Sequence, residues 1–124
     1  MDAKELRLGN YIKYSGSIFG NGDGIVYAIQ DDLIIIHNGN TLYLDELKPI
    51  PLTEEWLVRF GFVYCKNYDE YRYKEKTNWF GIFKSENDDW LFEKPNMSSV
   101  VLTSVHQLQN LYFSLTNEEL TIVI

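Results

Sequence analysis

The first 50 residues consist of short stretches in which apolar and polar side chains alternate, separated by glycines and by Asn-Gly or Asp-Asp pairs. Alternation with a period of two is typical of strands that bury one face. An Asn-Gly pair favours a tight hairpin, because both residues tolerate a positive φ. The pattern predicts a glycine-rich loop over Gly16–Gly24, a turn at Asp31-Asp32, a hairpin turn at Asn38-Gly39, and strands at Leu8–Tyr14, Ile25–Gln30, Leu33–His37 and Thr41–Asp45.

A different pattern begins after Pro49-Ile50-Pro51. Thr53 is a good helix N-cap, since the two glutamates that follow it suit the positive end of the helix dipole. Gly61 is a natural helix stop, which limits this helix to about two turns. Alternation then returns, and it predicts strands from Phe62 to Phe92 that include Glu70–Lys74, Trp79–Phe83 and Trp90–Glu93, with a short strand at Val100–Leu102.

A second helix is predicted near the end of the chain. Ser104 and Gln107 fit a capping box, and Asn117 can adopt the left-handed conformation that ends a helix. Thr121–Ile124 is apolar and β-prone, so we predict a final strand there. Spacing of three and four residues predicts one buried apolar stripe, formed by Val105, Leu108, Leu111, Tyr112 and Leu115.

These elements predict an α+β fold. The length of 124 residues suits a single domain over residues 1–124. Its β-rich part, residues 1–50, is expected to form a small SH3-like barrel or an open meander. Residues 51–124 are expected to form an antiparallel sheet with two helices.

Charge and cysteine content narrow the possible partners and the location. The formal charge is −7, which repels nucleic acid and anionic membranes and favours a basic protein partner. The single Cys65 suits a reducing compartment. No signal peptide is evident, and the longest apolar run, Leu33–Ile36, is far too short to span a bilayer. We therefore expect a cytoplasmic protein without membrane contact.

Residues able to support catalysis are few. The two histidines, His37 and His106, lack companions at metal-ligand spacing and are expected at the surface. Nothing near Cys65 indicates an activated thiolate. The Gly20–Gly24 segment lacks the Lys-Ser/Thr pair of a phosphate-binding loop. The sequence therefore predicts no catalytic residue, no metal and no cofactor.

Two kinds of residue are candidates for binding. Acidic doublets could imitate nucleic-acid phosphates, although a solubilising surface is the simpler explanation. Aromatic and basic side chains alternate between Lys66 and Lys84, as in surfaces that bind single-stranded nucleic acid, although an ordinary strand also explains that pattern. The candidate partner-binding residues are Tyr71, Arg72, Tyr73, Lys74, Trp79, Asp88, Asp89, Asp31 and Asp32.

Three stretches of the chain resemble a group of small proteins from phages and prophages of the Bacteroidetes. The match covers both ends and the middle of the chain, and Val63–Ser99 departs from it. That group commonly has Gly where Asn117 stands here. The matching stretches are Glu5-Leu6-Arg7-Leu8-Gly9-Asn10, Pro49–Leu57 with Phe60-Gly61-Phe62, and Val105–Phe113 with Leu115-Thr116 and Glu118-Glu119-Leu120.

The resemblance implies a phage accessory protein that inhibits host defence in the bacterial cytoplasm, similar to inhibitors of RNA-targeting CRISPR nucleases. The expected partner is a host RNA-guided nuclease or its ribonucleoprotein complex, with direct nucleic-acid contact secondary. Val63–Ser99 is the expected contact region. The alternatives are a phage structural or assembly protein and a small-ligand or nucleotide-binding module that uses the glycine loop.

Overall fold

The computed structural model describes residues 1–73, 80–92 and 99–123. They form an α+β fold with two antiparallel five-stranded sheets and two α-helices. The chain divides into two compact units. The first contains Met1–Pro51 and Ser104–Asn110, and the second contains Leu52–Thr103 and Leu111–Ile124.

The sheet of the first unit contains the strands β1 (Tyr11–Ser17), β2 (Gly20–Gln30), β3 (Leu33–Ile36), β4 (Thr41–Tyr43) and β5 (Leu47–Lys48). Their order in the sheet is β4-β3-β2-β1-β5. A 3₁₀ turn at Leu44–Glu46 connects β4 to β5. No pairing joins β4 to β5 within the described residues, so no closed barrel is found there. Their buried side chains form one core, made of Leu6, Ile12, Tyr14, Val26, Ile34, Ile36, Leu42 and Leu47.

The predicted loop over Gly16–Gly24 is mostly wrong, because β1 continues to Ser17 and β2 begins at Gly20. Gly22 pairs with Tyr14 across the sheet. A Cβ atom on Gly22 would lie 2.9 Å from the Tyr14 hydroxyl, and one on Gly24 would lie 3.0 Å from Ile36 side-chain atoms. These glycines therefore allow large side chains to lie directly over the strand.

The sheet of the second unit has the order β10-β9-β8-β7-β6. Its inner face carries a cluster of aromatic rings that includes Phe62, Phe80 and Phe92. Phe80 and Phe92 are stacked with their ring centroids 4.4 Å apart. The strands are β6 (Phe62–Cys65), β7 (Glu70–Tyr73), β8 (Phe80–Lys84), β9 (Trp90–Phe92) and β10 (Val100–Leu102).

The first helix, α1 (Glu54–Arg59), begins and ends where the sequence predicts. The Thr53 hydroxyl accepts a hydrogen bond from the Trp56 N–H at 3.4 Å. Gly61 follows the helix with a φ of +96°, a value that favours glycine. The predicted cap and stop are confirmed.

The second helix, α2 (Val105–Thr116), confirms the predicted element but only part of its buried stripe. Val105, Leu108 and Tyr112 are buried, whereas Leu111 is half-buried and Leu115 is 40% exposed. The predicted burial of Leu115 is therefore wrong, because this residue lies in the last turn of the helix, where Ser114 and Thr116 are also exposed.

The chain after α2 also departs from the prediction in part. Asn117 has a φ of +59° and ends the helix as expected. Residues 121–123 form no strand, and the Val123 N–H instead donates to the Arg59 carbonyl. The last residue of the predicted strand, Ile124, lies outside the described residues.

Candidate protein-binding surface

The tyrosines of β7 face the inner side of the second sheet. The Tyr73 ring lies edge-on to Tyr112 of α2, with the centroids 5.0 Å apart. The Tyr71 ring packs edge-on against Trp90 at 5.7 Å. Burial, with a further contribution from the Glu54 carboxylate, raises the pKa of Tyr71 to about 12. Tyr71 and Tyr73 were expected to contact a partner, but their rings are half-buried in packing within this unit.

The opposite side of the same sheet is only partly covered. We name it the outer face and define it by Val63, Arg72, Phe83, Leu91 and Val101, which alternate with the inward-facing residues of their strands. Val101, Leu91 and Phe83 are direct neighbours across β10, β9 and β8. Val63 is 64% and Val101 50% exposed, while the other three are half-buried. The outer face thus combines apolar side chains from four strands with the charged Arg72 of β7.

Arg72 lies in the outer face and is held from two sides. Its Nε donates to the Glu70 carboxylate, forming an ion pair. Its guanidinium lies 3.9 Å from the centroid of the Tyr68 ring, in a cation–π contact. The Glu70 carboxylate rests above Gly81, where an added Cβ atom would come within 3.1 Å of Oε2. Arg72 is therefore preorganised in its position.

The four acidic residues that the sequence predicts as binding residues lie in turns. At two of these positions the backbone conformation explains why an aspartate is present. Asp31 and Asp88 have φ values of 53° and 65°, in the left-handed region that Asp tolerates better than most residues. Asp88 also pairs with Lys84 at 2.9 Å. Asp32 and Asp89 are exposed beside them. The Asp88-Asp89 turn belongs to the second unit, with Arg72, and the Asp31-Asp32 turn to the first. Two further predicted binding residues, Lys74 and Trp79, lie outside the described residues.

A buried polar network in the first unit was missed by the sequence prediction. Asn10 is fully buried: its Oδ1 accepts from the Arg7 N–H at 2.7 Å, and its Nδ2 donates to Asn110 Oδ1 at 2.9 Å. The Asn110 Nδ2 donates in turn to the Glu5 carbonyl at 2.8 Å. These bonds tie the first residues of the chain to α2.

Gln109 extends this network by bonding to the backbone on both sides of Asn10. Its Oε1 accepts from the Tyr11 N–H at 2.8 Å, and its Nε2 donates to the Gly9 carbonyl at 3.0 Å. One signal in the sequence could have indicated this burial. Gln109 lies four residues after Val105 and three before Tyr112, which places it on the apolar side of the helix.

His106 is also buried, so its expected surface position is wrong. The residue is 2% exposed, and neither ring nitrogen has a hydrogen-bond partner among the described residues. His37, in contrast, is exposed beside its turn, and its ring lies edge-on to Tyr27. In residues 1–73, 80–92 and 99–123, no three His, Cys, Asp or Glu side chains lie close enough to hold a metal ion.

No protein-family model, curated protein or solved structure matches the chain. In the part of the chain that the structure describes, neither helix is long and apolar enough to cross a membrane. Inferences about function therefore come from the surfaces of the two units.

Proposed function

We propose that this chain is a non-catalytic binding protein and that it contacts a partner protein through the outer face. The observation that carries the proposal is the apolar row Val101, Leu91 and Phe83 beside the fixed Arg72. Arginine and aromatic residues are enriched in the buried centre of interfaces, so Arg72 and Phe83 are the expected anchors and the aliphatic side chains beside them exclude water. A partner that covers this row would remove apolar area from water without first having to order Arg72.

The partner we propose is a host RNA-guided CRISPR nuclease, and the role is that of a phage-encoded inhibitor in the bacterial cytoplasm. The resemblance to phage and prophage proteins supplies this identity. The charge of −7 supports it in part, because nucleases that handle RNA present basic surfaces that attract an acidic protein. Contact with the guide RNA itself would be secondary, since the charges of the two molecules repel.

The test combines capture with kinetics. Tagged full-length protein is incubated with lysate of a bacterium that carries an RNA-guided nuclease, and the captured proteins are identified by mass spectrometry. Binding of the purified nuclease complex is then measured for the parent and for Val63→Ser/Val101→Ser. Both valines are largely exposed, so the fold should tolerate the change. We expect the double variant to bind at least about tenfold more weakly.

Val58→Ser is the matched control, because Val58 is a 41% exposed valine of the same unit that lies on α1, outside the outer face. It should bind like the parent. Inhibition of guide-directed RNA cleavage should fall in parallel with binding. Capture of a phage structural protein would instead favour an assembly role. Equal weakening by the double variant and the control would remove the outer face as the contact.

We also propose that the first sheet curves into a small SH3-like barrel. The support is that β2 serves two ladders: its first half pairs with β1 and its second half with β3, with a register shift in the second ladder. Nuclear Overhauser contacts between the backbones of β4 and β5 would support closure, since burial of Leu42 and Leu47 in one core does not require the two strands to pair. Their absence in a folded sample would favour the open sheet.

A further inference from the structure

The first unit contains an open groove of about 700 Å³. Three segments form most of its walls: the end of β1 with its turn (residues 16–18), the strand β4, and the 3₁₀ turn Leu44–Glu46. Met1 and Asp32 complete the lining. The volume lies within the range of clefts that bind small ligands or short peptide segments.

The lining combines exposed apolar side chains with acids. Ile18 is 94% and Tyr43 61% exposed, although both are large apolar residues. Asp32, Asp45 and Glu46 contribute the charge, and no Lys or Arg among the described residues lines the groove. Such a lining attracts a cation that carries apolar surface, and it repels phosphate groups, which argues against the nucleotide alternative.

The three acids differ in availability. The Glu46 carboxylate accepts a hydrogen bond from the Tyr43 N–H at 2.8 Å, so it is already engaged within the protein. The carboxylates of Asp32 and Asp45 are exposed, and no described residue donates a hydrogen bond to either. These two can therefore accept from a bound cationic group.

The wall formed by β4 has one further property. Thr41 and Tyr43 of this strand both line the groove and are both exposed, so a bound segment can reach their side chains.

We infer that this groove binds an extended basic segment of a partner protein, with arginine or lysine heads at Asp32 and Asp45 and apolar side chains against Ile18 and Tyr43. The long stem of an arginine suits this combination, because it packs on apolar surface while its charged head reaches a carboxylate. The Tyr43 ring offers a further cation–π contact. The inference does not rest on the outer face or on the proposed nuclease.

The test uses full-length protein and labelled short peptides in fluorescence anisotropy. The probe alternates arginine with leucine, and two comparison peptides alternate arginine with serine or glutamate with leucine. The arginine–leucine peptide should bind one saturable site about tenfold more tightly than either comparison peptide. Asp32→Asn/Asp45→Asn and Tyr43→Ala should each reduce that affinity by about tenfold.

Asp88→Asn/Asp89→Asn is the matched control, since it removes the same charge from exposed acids of the second unit. It should leave peptide affinity within about twofold of the parent at physiological salt, where distant exposed charges are screened. Equal losses in the two double variants would reduce the effect to general attraction by an acidic protein and overturn the inference. Equal affinity for all three peptides would overturn it too.

Circular dichroism and thermal melting establish that each variant is folded. The outer-face variant Val63→Ser/Val101→Ser should bind the peptide with the affinity of the parent.

Discussion

The Nε2 atom of His106 lies 3.7 Å from the Glu5 carboxylate, too far for a hydrogen bond, and both ring nitrogens are buried without a partner among the described residues. Burial lowers the pKa of His106, and the Glu5 carboxylate opposes that shift only in part. A positive charge is tied to the same helix, since the Arg7 guanidinium donates to Asn110, four residues after His106. The neutral imidazole is therefore the form that the fold favours.

This pKa shift should make stability depend on pH in one direction. The pKa of His106 is lower in the folded protein than its ordinary value of 6.5, so the unfolded chain binds the proton more readily. The free energy of unfolding should hold above about pH 6.5 and fall as the pH drops below it toward the folded pKa. Urea unfolding at a series of pH values measures this.

Substitutions distinguish the contribution of His106 to this pH dependence from the contribution of other groups that bind protons at acidic pH. His106→Leu should make the acid-side decline shallower, and Glu5→Gln should make it steeper, because the opposing charge is lost. His37→Leu, at an exposed histidine, should leave the profile unchanged. An identical acid-side slope in the parent and His106→Leu would contradict the role of His106.

The Gln109 side-chain amide should contribute more to the free energy of unfolding than the amide of an exposed glutamine. Gln109→Leu leaves the Tyr11 N–H and the Gly9 carbonyl without the partners seen at 2.8 and 3.0 Å. We expect the free energy of unfolding to fall by about 1–3 kcal/mol. Gln30→Leu makes the same change at an exposed position and should cost less than about 0.5 kcal/mol. A Gln109→Leu protein as stable as the parent would show that these bonds contribute nothing.

The two ends of α2 should respond differently to truncation. Leu108 is fully buried, so Leu108→Ala should cost about 2–5 kcal/mol. Leu115 is 40% exposed, and Leu115→Ala should cost less than about 1 kcal/mol. Chemical denaturation of the two variants gives the comparison, and equal costs would contradict the burial pattern.

Asn117 provides a test of the helix end. Its φ of 59° crowds any side chain that carries a Cβ atom, and its N–H donates to the Phe113 carbonyl at 2.8 Å. Asn117→Gly should keep or raise the melting temperature, and Asn117→Ala should lower the free energy of unfolding by about 1 kcal/mol. The opposite order of Gly and Ala would contradict the left-handed conformation in solution.

The sequence predicted features that depend on neighbouring residues. Thr53 as a cap, Gly61 as a stop and Asn117 as a helix end each follow from backbone chemistry within one turn. Alternation along β7 correctly placed Tyr71 and Tyr73 on one face and Arg72 on the other. It could not show which face other elements would cover.

Features that depend on distant partners were missed. Gly22 and Gly24 were predicted to lie in a loop. The sequence does not show that the Tyr14 ring lies over Gly22 and the Ile36 side chain over Gly24, because these neighbours are separated from the glycines along the chain. His106 was placed at the surface because its polarity outweighed its position near Val105 in the pattern. The groove is likewise assembled from turns that are separated along the chain.

The hydrogen bond between Asn10 and Asn110 joins residues 100 positions apart, and the first unit as a whole contains both residues 1–51 and residues 104–110. A ribosome makes this chain from the amino end, so the first sheet leaves the exit tunnel long before the helix that completes its polar network. Until then, Gln109 cannot bind the Gly9 carbonyl and the Tyr11 amide. The order of synthesis therefore delays completion of the first unit until residues 104–110 have been made.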